Sequence, residues 1–561
     1  MTEQENIIEL ISQASRELQE FRTSTHGETL PMYTLRREPT RMEDFDCGDK
    51  DAVYRHGVVI WRENGTLLCV GGRPKYKGRS LRFTIYNESD ANKADCVIYG
   101  KTDAAIAETA TFYWSLKYYE NRESRLEIRI RKIDQFEFAA FLPQQLARIF
   151  DANPERYFEI DGGIWNAEQS VILATRPYPL NIELTNVVLR DKGTAFVDAL
   201  EARQPCSFGS FSATILVTNT MLFSGANLER LTKLDITYEK IKFYFSRHEC
   251  GLLPLSMKTN ALECKVIAAH FQPYDFDTLD IVAKDLNLKF YVEKADNWNA
   301  PLISFFNRMA ELGHLRSLRL SIDFWNNGFR DADLWNFDGT ESFDVERTTS
   351  EALINAIKGN PKLELLDLST THWRADWSGY EGIFAAMEDH KSLRKFIVKE
   401  LLPFEPCRED DDDDDASYDM DSWFNRDFKA LEKLLTRNRS ITVYDRVGKR
   451  CSNGPRIDKL YLLNDIFNGS KELVTSSSSD RQNLVPTALI ERASQNFQYS
   501  ALLLSNHLDT LSELFGDNDF ERMVVMFEEI LLLSTNPSSE LEVSNLERVH
   551  LRPLADKASC R

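Results

Sequence analysis

The chain has no long apolar run, no surplus of cations, no paired cysteines and no glycine-rich phosphate loop. No stretch reaches the ~18 consecutive apolar residues of a membrane span, and the opening Met1-Thr2-Glu3-Gln4-Glu5-Asn6 lacks the basic and apolar regions of a secretory signal. The nine cysteines, at 47, 69, 96, 206, 250, 264, 407, 451 and 560, form no Cys-x-x-Cys pair. Such scatter suits reduced, buried thiols and leads us to expect a cytoplasmic protein, with a nuclear one as the alternative. Lys and Arg total 68 against 88 Asp and Glu, a net charge of −20. Nonspecific binding to nucleic acid or to an anionic membrane rests on cationic surface, so this balance opposes both and makes a basic protein the natural complement.

What is present is a folded composition, 42% hydrophobic and 11% aromatic, that changes character along the chain. Residues 1–45 read as an N-terminal helix and linker, with Ile7, Ile11, Ala14, Leu18 and Phe21 on one stripe. Residues 46–135 read as a β-rich unit or N-terminal cap: short apolar runs at 58–61, 67–70, 81–86, 96–99, 112–118 and 126–130 are separated by turn signals such as Asn64-Gly65 and Gly71-Gly72. Helices and strands then alternate over 136–450. Residues 451–533 read as a helical C-terminal cap and 534–561 as a tail. The seven consecutive acids at 409–415 resist burial, and form either a solvated segment or a contact for a basic partner.

The alternation is clearest over 350–398. Ala352, Leu353, Ala356 and Ile357 lie at helical spacing, Gly359-Asn360-Pro361 stops the helix, and Leu363, Leu366 and Leu368 follow as a strand. Ile383, Phe384 and Met387 repeat the helical stripe before Leu393, Phe396 and Val398. Such a unit cannot bury its apolar side alone, so neighbours must stack. The same Leu-x-x-Leu-x-Leu template places strands at Phe158 and Ile160, at Leu180 and Ile182, and at Phe208, Phe211 and Ala213. It places others at Leu231, Leu234 and Ile236, at Leu252, Leu255 and Met257, and at Phe276, Leu279 and Ile281. Leu315, Leu318 and Leu320 fit best, and Ile441 with Tyr444 closes the series. Helical signal is poor between Leu231 and Phe276, where the register is least supported.

This pattern resembles the ribonuclease-inhibitor-like class of leucine-rich repeat proteins, over roughly 136–450 and most strongly between Leu302 and Tyr444. The resemblance implies an α/β fold, an irregular solenoid with a curved parallel sheet inside, helices outside and protein binding on the concave face. One departure matters: the asparagine that usually follows the third strand position is replaced by Glu239, Lys284, Asp323, Thr371 and Leu401, so another group must satisfy the turn backbone. On this template the residue between the second and third slots points into the concavity. Those residues are Glu159, Asn181, Ser212, Asp235, Ser256, Asp280, Arg319, Asp367, Ile397 and Asp445. The candidate partner-binding residues are therefore Glu159, Asn181, Asp235, Asp280, Arg319, Asp367 and Asp445. Together they read as an acidic surface for a basic segment, or as an ordinary solvated face.

Three other motifs have plainer uses. Arg55-His56-Gly57 resembles the nucleophile motif of histidine phosphatases, but it precedes an apolar run instead of following a strand, and no companion motif is evident. His248, Cys250 and Cys264 lack a fourth ligand and a recognisable metal spacing. Residues 142–150 resemble the opening of an F-box, yet Asn153-Pro154 stops the helix and a strand-like run follows, as in the repeats. The expected function is a noncatalytic interaction scaffold with no catalytic residues, metal or cofactor; a ubiquitin-ligase substrate receptor and a GTPase-activating protein are the alternatives.

Overall fold

The computed structural model describes residues 8–11, 30–40, 58–71, 78–87, 94–117, 124–203, 207–214, 222–235, 237–244, 251–292, 299–324, 341–371, 378–398 and 420–474, with 485, 506–507 and 509–510. The chain forms two compact units, Met1–Cys451 and Ser452–Arg561.

The first unit is a mixed α/β structure built on one 17-stranded, mostly parallel sheet. Strand β1 (Ile8–Leu10) is antiparallel to β2 (Met32–Leu35), which lies parallel to β3 (Val58–Trp61). Four strands follow in an antiparallel block, β4 (Leu67–Val70), β5 (Ser80–Asn87), β6 (Ala94–Tyr99) and β7 (Ser124–Arg129), in the spatial order β3-β4-β6-β5-β7. The remaining strands are β8 (Tyr157–Asp161), β9 (Ile164–Trp165), β10 (Leu180–Thr185), β11 (Val188–Leu189), β12 (Gly209–Thr214), β13 (Tyr238–Tyr244), β14 (Thr259–Ile267), β15 (Asp285–Val292), β16 (Ser317–Phe324), β17 (Leu365–Thr371), β18 (Lys395–Ile397) and β19 (Thr442–Tyr444). Strands β9 and β11 pair in a small separate sheet. The others extend the large sheet from β7 to β19 with every pairing parallel.

Period-two alternation gives the sheet its two faces. In β15 Leu286, Leu288, Phe290 and Val292 are buried, while Asp285, Asn287, Lys289 and Tyr291 between them are half-exposed. Helices cover the apolar face. Phe150 of α2 (Pro143–Ala152) meets Phe158 edge to face at 4.8 Å, Phe196 of the helix at Thr194–Glu201 stacks on Phe211 at 5.8 Å, and Phe384 of the helix at Ser378–Met387 meets Phe396 at 6.0 Å. Each such aromatic or aliphatic side chain contributes about 1.5–3 kcal/mol when fully buried.

The corners between helix and strand are held by polar side chains, two buried asparagines and a half-buried histidine. Asn360 Nδ2 donates to the carbonyls of Met309 (3.0 Å) and Ala356 (2.8 Å), while its Oδ1 accepts the Leu315 amide at 3.0 Å. One corner on, His390 Nδ1 accepts the Leu393 amide at 3.1 Å and its Nε2 lies 3.0 Å from the Asn360 carbonyl. At the next, Asn438 Nδ2 donates to the carbonyls of Met387 and His390, both at 2.9 Å. These three residues satisfy backbone groups that no strand could reach. They do at the start of the strands what the missing asparagines were expected to do after them.

Three expectations are corrected. Ile8–Leu10 is a strand paired with β2, not the start of a helix; the rest of that stripe, from Ala14 on, lies outside the described residues. The expected strand at 112–118 is not formed: residues 112–114 end α1 (Asp103–Trp114), whose cap Thr102 accepts the Ala105 amide on its hydroxyl and whose alanine-rich first turns favour helix. The proposed strand slots Leu231, Leu252 and Phe276 give way to Tyr238, Thr259 and Ala283, each seven residues later. Leu228 and Leu231 belong instead to a helix at Gly225–Lys233, because the Leu-x-x-Leu spacing is itself helical. At 142–160 α2 ends at Ala152 with Asn153 as its cap and β8 begins at Tyr157, the helix, stop and strand order expected of a repeat and not a helical bundle. Of the second unit, the helix at Pro455–Val474 is described, with Ile457 and Tyr461 buried; the helices expected at 485–493, 499–515 and 520–533, and the tail, fall almost wholly outside the described residues.

Candidate functional site

The parallel register aligns the polar face into rows. The central row runs Glu127, Glu159, Glu183, Ser212, Lys242, Glu263, Asn287, Arg319, Asp367, Ile397 and Tyr444 from β7 to β19. Of the residues expected there, Glu159, Arg319, Asp367, Ser212 and Ile397 belong to it. Asn181 lies on the same face in the adjoining row, in register with Tyr157 and Ser210.

Four others do not reach the row. Asp235 and Asp280 are exposed residues in connections that precede β13 and β15, and Ser256 lies in a 3-10 turn. This is the same seven-residue displacement of the strands. Asp235 receives Lys258 Nζ at 2.5 Å, which holds its carboxyl below the usual carboxylate range. Asp445 is buried just past β19, where its Oδ1 accepts the amides of Val447 (3.0 Å) and Lys449 (2.8 Å); it builds a turn. The residues standing in their place are Lys242, Glu263 and Asn287, and β7 and β10 add Glu127 and Glu183.

Charge is segregated along the face. On β7 to β10 the glutamates are matched by cations of the same surface. Arg125 is paired with Glu159, Arg129 with Glu127 at 2.5 Å, and Glu183 takes both the Tyr157 hydroxyl at 2.6 Å and Lys242 at 3.3 Å. On β13 to β16 the balance reverses. Lys240, Lys242, Lys265, Lys289 and Arg319 share the face with Glu263, Asp285 and Asp323; the Tyr244 hydroxyl donates to Glu263, which Lys289 approaches at 3.4 Å, and Asp285 pairs with Arg316. Burial alone would raise the Glu263 carboxyl, but the Tyr244 hydrogen bond and the charges of Lys242, Lys289 and Lys240 outweigh it and hold the group below its ordinary value. Lys265 Nζ sits 3.6 Å from the Tyr291 ring centroid, and Lys289 and Lys242 lie 4.8 and 5.3 Å from that of Tyr244.

The chemistry this arrangement offers is recognition by charge and hydrogen bonding. The other sequence candidates do not converge on it. Cys264 is buried on the apolar face, its thiol pushed up to about 12 by burial, and His248, Cys250 and Arg55-His56-Gly57 lie outside the described residues. Cys69, Cys96 and Cys451 are likewise buried, outside any disulfide. Among the described residues no group of three or more His, Cys, Asp or Glu side chains is arranged to hold a metal ion, and no helix is long and apolar enough to cross a membrane. Sequence reasoning missed the lysines and tyrosines of β13 to β15, although Lys240-Ile241-Lys242-Phe243-Tyr244 carries the alternation that marks them. Comparison with known proteins finds no matching family model and no matching curated protein.

Proposed function

We propose that this protein is a noncatalytic scaffold of the ribonuclease-inhibitor-like, leucine-rich-repeat kind, an irregular α/β solenoid that binds a protein partner on the polar face of its parallel sheet. The observation that carries the reading is the continuous central row of polar side chains from Glu127 on β7 to Asp367 on β17, backed by a face whose apolar residues are consumed by helices. A polar sheet face against which none of the described helices packs is a broad, rigid surface on which side-chain identity can vary without cost to the core. The reading as a ubiquitin-ligase receptor would need a helical bundle where α2 is followed by β8, and nothing on the face favours the GTPase-activating reading.

Affinity capture with matched variants tests this. Asn287→Arg with Arg319→Glu obstructs the face, while Lys362→Glu with Lys391→Glu changes exposed residues at the helix–strand corners. A partner held by the native chain and the corner variant but lost from the face variant is the expected result. A partner retained equally by all three would place binding elsewhere.

A further inference from the structure

We infer that the section of the polar face on β13 to β16 receives an acidic peptide segment of a second protein, an inference that rests on the binding-face reading above and sets its chemistry. In a chain of net charge −20, five cations, one of them (Lys242) shared with Glu183, gather on one face of four adjacent strands against three carboxylates of that face, Glu263, Asp285 and Asp323, of which Asp285 is held by Arg316. The carboxylates of β7 to β10 are answered by Arg125, Arg129, Tyr157 and Lys242, so that section has little charge left for a basic partner. The basic section has a surplus. Arg319 and Lys240 are exposed, and among the described residues neither has an ion-pair partner, although Arg319 stands in register beside Asp367. Asp367 is turned to its own strand, where its Oδ1 accepts the amide (3.0 Å) and hydroxyl (2.7 Å) of Ser369.

The row geometry suits a chain laid across the strands. Neighbouring strands are about 4.8 Å apart, so the four strands present cations over roughly 14 Å, the length of about four residues of an extended peptide. A peptide is favoured over a nucleic acid because ammonium groups occupy the ring faces of Tyr244 and Tyr291 on which bases would stack.

The probe is a fluorescein-labelled deca-glutamate peptide, titrated with the full chain at low salt and followed by anisotropy, beside deca-lysine and a single-stranded oligodeoxythymidine. Binding of deca-glutamate that weakens at least tenfold in Lys240→Glu with Arg319→Glu, that survives in Lys362→Glu with Lys391→Glu, and that falls as salt is raised is the expected result. Unchanged urea unfolding of the face variant shows that it is folded. The inference is overturned if the native chain ignores deca-glutamate, if both variants bind it alike, if deca-lysine binds better, or if oligodeoxythymidine binds as tightly at the same residues. It is also overturned if binding appears only after residues 409–415 are deleted, because the chain's own acids would then occupy the face. Failure here with a partner still lost from Asn287→Arg/Arg319→Glu removes the acidic segment and leaves the binding face; a partner kept by that variant removes the face itself.

Discussion

Asn360 shows how much of this architecture rests on single polar side chains. It is 1% exposed and satisfies two carbonyls and one amide drawn from three separate stretches of backbone. Asn360→Ala removes the partner of the Leu315 amide and a donor from the Met309 and Ala356 carbonyls, of which Met309 keeps the Gly313 amide, so urea unfolding should show a loss of about 1–3 kcal/mol; no loss would mean that water replaces the amide freely. Gly209 opens β12 at φ +93°, with a Cβ there set 2.4 Å from the Leu180 carbonyl oxygen. Gly209→Ala should therefore destabilise by more than about 1 kcal/mol, through backbone strain and contact together. Glu263 makes a pH-dependent contribution. Its folded pKa is depressed, so its stabilising effect is present above the ordinary Glu value of about 4.3 and is lost as pH falls through the lower folded value. The stability difference between the native chain and Glu263→Gln should shrink as urea unfolding is repeated at decreasing pH below that point. A difference independent of pH would contradict the assignment.

At the level of elements, the strands with leucine in both inner slots carry the core. Leu366 is fully buried on β17 between Leu318 and Phe396, and Leu366→Ala should cost about 2–5 kcal/mol, measured by urea unfolding. A loss below ~1 kcal/mol would place it outside the core. How far the elements were legible follows from what their residues compete with. Over 315–398 the helix stripe, the Gly-Asn-Pro stop and the strand leucines agree, and β16, β17 and β18 lie where the pattern put them. Between Leu231 and Phe276 the strand slots are filled by Tyr238, Thr259 and Ala283, which no leucine template selects, while the preceding Leu228, Leu231, Leu252 and Leu255 imitate it from helical and 3-10 turns. Three of the expected acidic face positions were lost through that displacement or, for Asp445, through turn formation. The polar rungs at the corners were present in sequence as Asn360, His390 and Asn438, each three residues before Leu363, Leu393 or Ile441. Their role depends on which carbonyls a fold brings near, and that is not a local property.

For the whole molecule, net charge proves a poor guide to the face. A balance of −20 pointed to a basic partner, yet the acids counted on the face are partly matched by its own arginines and partly displaced into loops, and the cations concentrate on four strands. The sum of charges governs long-range attraction and solubility, whereas recognition follows local complementarity. The most direct measurement is lysine cross-linking of the full chain with its captured partner, read by mass spectrometry. Cross-links concentrated at Lys240, Lys242, Lys265 and Lys289 are the predicted result. Cross-links concentrated instead at the exposed helix-side Lys358, Lys391 and Lys429 would contradict the account.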